Sequence, residues 1–101
     1  MFNNPRYMTK GISERLPLSL QIILWGMIDG LKQKQQLDYL QVFTLSATHN
    51  DDGVMQQSIT HTQEIPPYQM TVTVACKSPV SYKVFCIDDK IHSTMLFADE
   101  Y

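Results

Sequence analysis

Residues 39–76 of this 101-residue sequence contain no lysine and no arginine, although residues 1–38 carry five basic and three acidic side chains and residues 77–101 carry three and four. A stretch without cations cannot track a phosphate backbone, and a net charge of −2 supports neither a nucleic-acid-binding field nor an acidic mimic of one. Glycine is scarce, four in all, and none belongs to a loop that could cradle phosphate. The only cysteines, Cys76 and Cys86, make no disulfide framework and are expected as reduced thiols. No basic region followed by an apolar run and a small-residue cleavage site opens the sequence. The densest apolar run, Leu16 to Ile28, is broken by Pro17, Ser19, Gln21 and Gly26, so no bilayer-spanning segment is expected. These absences point to a cytoplasmic protein. What is present, 44% apolar and 18% charged residues, is the composition of a folded chain, and the length suits one domain over residues 1–101.

The most telling segment runs from Pro17 to about Gln35, where the apolar residues recur at helical spacing. At about 100° per residue, Leu20, Ile23, Leu24, Met27, Ile28 and Leu31 form one stripe, the signature of a helix laid on a core. Pro17 suits the first turn, and Lys32 and Lys34 suit the carbonyl end. Leu18, Ile22 and Trp25 fall roughly opposite the stripe, and a second apolar face on a soluble helix must be covered by more of the chain or by a partner. Gly26 and Gly30 share a small-residue strip with Ser19, which predicts a close backbone approach there. Leu18, Ile22, Trp25 and Gly26 are therefore the candidate partner-contact residues. Two ways of hiding them stay open: a curved sheet wrapping the helix, or a second molecule.

Tyr7 to Ile12 reads as a short strand, and from Asp38 the period changes to two. Strands are expected from there to about Ser46, over Val54–Gln63 near an edge, over Tyr68–Cys76 with one face buried, over Tyr82–Asp88 apolar on both sides and so central, and over Ile91–Ala98. His49–Gly53, Ile65-Pro66-Pro67, Lys77–Ser81 and Asp88-Asp89-Lys90 supply the turns. The expected fold is α+β: a single α-helix packed on an antiparallel meander of about five strands, plus a short N-terminal strand.

Chemistry is harder to find. His49, His61, His92, Cys76 and Cys86 are zinc-type ligands without any short paired spacing, so no metal site is expected. Ser58, His61 and Glu64 resemble a triad in composition only, because a spacing of three puts Ser58 and His61 on opposite faces of a strand. Asp51-Asp52, Asp88-Asp89 and Asp99-Glu100 fall at turns or ends, where such side chains satisfy backbone donors. Arg6, Lys10 and Arg15 beside Tyr7 form the best candidate nucleic-acid contact. The expectation is an accessory or protein-interaction domain without catalytic activity or cofactor, self-associating or binding a protein partner through the outer helix face. The alternative is a nucleic-acid-associated factor of mobile elements.

Taken in order, Tyr7–Gly11, Leu16-Pro17-Leu18, Leu24-Trp25, Ile28-Asp29, Asp38–Phe43, Gln63–Pro66, Val84–Asp89, Ser93–Leu96 and Ala98–Tyr101 resemble the family called domain of unknown function 960 nearly end to end. The resemblance implies a small cytoplasmic protein of Gram-positive bacteria, in part carried on phages and other mobile elements, and carries over no catalytic residue. Thr48 to Ser58 matches least well.

Overall fold

The computed structural model describes residues 1–101. In chain order it contains β1 (Arg6–Met8), α1 (Lys10–Arg15), α2 (Leu18–Lys32), β2 (Leu40–His49), β3 (Met55–Gln63), β4 (Tyr68–Ala75), β5 (Tyr82–Asp88), β6 (Ser93–Phe97) and a 3₁₀ turn over Ala98–Glu100. The six strands form one sheet in the order β1-β6-β5-β2-β3-β4. Only β1 and β6 are parallel; every other pair is antiparallel. The expected single helix on a five-stranded antiparallel meander is therefore incorrect: the α+β class holds, but the sheet is mixed, has six strands and carries two helices.

Three local causes explain the difference. Thr9 Oγ1 accepts the Ile12 amide and starts α1, so the strand expected over Tyr7–Ile12 stops at Met8. The strand β5, with Val84 and Cys86 buried under the helices and Phe85 and Ile87 half-buried on the other side, pairs with β2 rather than β4, because buried Gln57 of β3 bonds both the N–H and the C=O of Val80 and draws the connection back across the sheet. Finally β1 is held beside β6 by two main-chain bonds that bracket it, from Ser93 N to Pro5 O and from Thr9 N to Met95 O.

The stripe on α2 does what its period requires. Leu20, Leu24, Ile28 and Leu31 are buried, with Ile23 and Met27 half-buried at its flanks. They pack with Phe43 and Leu45 of β2, Ile59 of β3, Val84 and Cys86 of β5, and Met95 and Phe97 of β6. Gln21, buried in the first turn of α2, donates to Leu16 O at 2.8 Å and so satisfies a carbonyl at the end of α1. A Cβ at Gly11 would lie 2.6 Å from Glu100 Oε2, so a larger residue there would push that flexible side chain aside. No helix is long and apolar enough to cross a membrane.

The β4 edge departs from the expectation of one buried face. Tyr68 and Val72 are half-buried, but Met70 and Val74 beside them are exposed, because the helices do not extend over that end of the sheet. Gly26 and Gly30 depart too: neither has any atom within 4 Å of a Cβ built on it, so the expected close backbone approach is not made within the chain.

Candidate contact surface

Leu18, Ile22, Trp25 and Asp29 lie along one line of α2, at spacings of four, three and four residues. The chain's first residues cover half of that line. Arg6 lays its guanidinium 4.8 Å from the centre of the Trp25 ring and donates from both terminal nitrogens to the Asp29 carboxylate, at 3.0 Å from Nη1. This hydrogen bonding raises the Arg6 pKa and lowers that of Asp29. Phe2 is buried beside Trp25, with ring centres 6.5 Å apart, and adopts φ of 60°, a left-handed conformation that a bulky residue keeps only when its surroundings hold it. They do hold it: its amide donates to Asp88 Oδ2 at 2.6 Å, and its carbonyl accepts from Lys32 Nζ at 3.2 Å. Burial alone would raise the Asp88 pKa, yet donors from Phe2, Lys90 and Asn4 outweigh it and hold the carboxyl below its ordinary value. Trp25 is thus half-buried by its own chain.

The other half of the line is bare. Leu18 is 65% and Ile22 62% exposed, and Gly26, one turn further, is exposed as well. Leu18 continues into an open groove of about 470 Å³, whose apolar wall is Met8, Leu16, Pro17 and Leu18 and whose rim includes Glu14 and Arg15. The four residues predicted to contact a partner are split accordingly: Leu18, Ile22 and Gly26 face solvent, and Trp25 packs internally.

Arg6, Tyr7, Lys10 and Arg15 are not gathered into a basic groove. Arg6 is engaged with Asp29 and Trp25 on the helix side of the sheet. Tyr7, next along β1, projects to the opposite face and meets His92 edge-on with ring centres 5.2 Å apart. Lys10 lies 3.7 Å from Glu14 across one turn of α1, and Arg15 stacks over Phe97 at 4.3 Å.

The histidines and cysteines are dispersed as well, and no three His, Cys, Asp or Glu side chains come together. Both thiols are free; burial pushes the Cys86 thiol far up, which leaves it a protonated core side chain. Ser58 and His61 lie on opposite faces of β3. Asp52 belongs to the β2–β3 turn, where its amide and that of Val54 donate to Asn50 Oδ1, and Asp89 Oδ1 accepts the amides of Ile91 and His92.

One surface escaped the sequence reading. The sheet face without helices carries Leu40, Val42, Phe85, Ile87 and Leu96 as a half-buried apolar strip, joined by Tyr101 packed edge-on against Phe85. Beyond it β2, β3 and β4 present Thr44, Ser46, Ser58, Thr60, Thr62, Thr71 and Thr73 without a cation, and Lys83 of β5 lies opposite Thr44. The signal was present in β5, apolar on both sides.

Comparison with known proteins gives a consistent but chemically silent result. The model of the family described as staphylococcal protein of unknown function (DUF960) matches residues 5–100. A crystal structure of a protein of unknown function from Enterococcus faecalis is similar, with a TM-score of 0.75 and 27% identity over 97% of this chain and 91% of that one. No curated protein matches.

Proposed function

Because the chain belongs to the DUF960 family, whose description assigns no activity, its role has to be read from its own surfaces, and we propose a non-catalytic, cytoplasmic protein-interaction domain that docks a protein partner on the bare half of α2. The observation that carries this reading is the contrast along one helical line: Trp25 is roofed by Arg6 and Phe2, while Leu18 and Ile22 stay more than 60% exposed beside an apolar groove. Leu18 and Ile22 are already about one third buried, so covering the rest is worth roughly 2–4 kcal/mol, a substantial part of the free energy of a micromolar complex. The partner surface that fits is an apolar ridge or helix face of another protein; exposed Gly26 lets its backbone approach. A nucleic-acid role is less favoured, since Arg6 is engaged with Asp29 and Trp25 and Tyr7 projects from the opposite face of the sheet, so the candidate contacts do not share one basic groove.

The test compares wild type with the double variant Leu18→Gln/Ile22→Gln in co-purification from host cells and in sedimentation. Both proteins should have the same thermal stability, and only wild type should retain a partner in co-purification and co-sediment with it. Equal behaviour of the two would refute this surface.

A further inference from the structure

At the far end of the sheet from β1 lies β4, and its outer edge is open. Along its whole length β4 pairs with β3, from Gln63 opposite Tyr68 to Gln56 opposite Ala75, and no backbone hydrogen bond reaches its other side. Natural edge strands are blunted by lysine, by proline, by a bulge or by a covering loop. None of these protects β4: the stretch from Ile65 to Cys76 has no charged side chain, and the strand Tyr68–Ala75 contains neither proline nor glycine. Its helix-side residues are also left wet, with Met70 42% and Val74 37% exposed, next to a shallow cavity of about 510 Å³ walled by Val54, Met55, Ala75 and Cys76.

We propose that this edge docks a second copy of the chain, the two β4 strands pairing antiparallel about a twofold axis at Thr71. A row of alternating free N–H and C=O groups selects an extended strand as occupant. Several features select the same strand. With Thr71 opposite its counterpart, Met70 faces Val72 of the second copy and Tyr68 faces Val74, so apolar meets apolar on the helix side; Gln69 faces Thr73 on the other. Pairing ends where Pro67, lacking an N–H, begins. The charges flanking the strand are of opposite sign, Glu64 in the turn before it and Lys77 after it, so antiparallel pairing sets an acidic and a basic side chain at each end of the joined edge. The product is a continuous sheet of twice six strands with both helix layers on one side.

A charge swap at Thr71, which is exposed and lies on the axis, tests this directly. Wild type should sediment as a dimer in the high micromolar range. Thr71→Lys and Thr71→Glu should each dissociate, with a dimer Kd raised at least tenfold and unchanged helical circular dichroism, and an equal mixture of the two should recover the heterodimer. In a Cys76→Ser background, Thr71→Cys should oxidise to a disulfide-linked dimer, and Thr60→Cys, one strand further in, should not. A monomeric wild type, or a dimer indifferent to both Thr71 variants, would overturn the proposal. The variant Leu18→Gln/Ile22→Gln should keep the β4 dimer, so failure of the α2 docking reading and failure of this one are separately visible.

Discussion

His61 should make the fold sensitive to mild acid. Its ring is fully buried, stacked on Phe43 with centres 4.4 Å apart and met edge-on by Tyr68. Gln41 Nε2 donates to Asp38 O and to Gln63 Oε1, so Gln41 Oε1 is an acceptor; His61 Nε2, 2.6 Å away, must carry the hydrogen. Nδ1 then keeps a lone pair with no donor near it. Adding a proton there would place an unpaired N–H and a charge in the core, and burial accordingly lowers the His61 pKa from 6.5 to about 4. The sign follows: between these values the unfolded chain binds a proton that the folded chain refuses, so stability is highest above pH 6.5 and falls as the medium is acidified. Integrating the difference gives a loss of about 2 kcal/mol by pH 5 and about 3 kcal/mol by pH 4 from this residue alone. Carboxylates held low, such as Asp88, add their own loss at still lower pH, so the residue is isolated by comparison with His61→Phe. That variant strands Gln41 Oε1, which destabilises by about 1–3 kcal/mol independently of pH. Urea unfolding followed by the fluorescence of Trp25, the only tryptophan, gives both stabilities from pH 7.5 to 4. The difference in stability between wild type and variant should shift by about 3 kcal/mol in the variant's favour across that range, closing or reversing the initial gap. Parallel stability curves would refute the buried, neutral assignment.

Further outcomes follow from the packing. Gly11→Ala should change stability by less than about 1 kcal/mol in chemical denaturation, because the Glu100 carboxylate must swing away from the new methyl while the helix gains from replacing glycine; in a Glu100→Ala background the same substitution should be stabilising. Arg6→Ala removes both the Asp29 pair and the cover of Trp25; a loss of about 1–2 kcal/mol and a red-shifted Trp25 emission are expected. Leu24→Ala, in the buried stripe, should cost about 2–5 kcal/mol, whereas Leu18→Gln should stay within about 0.5 kcal/mol when unfolding is measured on the monomer.

The parts of this fold legible in the sequence are those set by local period. The α2 stripe repeats over four turns, so its buried side could be read from Leu20, Leu24, Ile28 and Leu31 without knowing what lay beneath. The limits of β5 and its two apolar sides were legible for the same reason. Strand neighbours were not, because alternation says which side chains share a face and nothing of what covers it. Residues Tyr68 to Val74 alternate as cleanly as any buried strand, yet β4 is an edge, since the chain returns across the sheet to β2. That return is fixed by Gln57, buried in β3, which donates to Val80 O and accepts from Val80 N. A glutamine in a polar strand gives no sign of reaching a loop 23 residues on. Half of the candidate site was hidden in the same way: Leu18 and Ile22 stand exposed as their helical position implies, but the roof over Trp25 depends on Arg6 and on a left-handed Phe2 pinned by Asp88, at the other end of the sequence.

The positions of the two proposed contacts have a consequence that neither has alone. The bare half of α2 lies on the side of the molecule occupied by β1, since Met8 shares its groove and Arg6 covers the same helical line; β4 closes the opposite end of the six-strand order. Pairing two copies through β4 would therefore leave both α2 faces free at the outer ends of the joined sheet, on the same side of it. A partner with two docking segments would then engage the second face as an intramolecular event, gaining avidity without a new contact. This coupling is measurable: Thr71→Lys, which touches no residue of the α2 face, should leave the affinity for a single docking segment unchanged and weaken binding of a tandem segment by at least tenfold. Equal loss for both would mean that the Thr71 variant disturbs the α2 face itself, and no loss for either would mean that the two faces cannot be engaged at once.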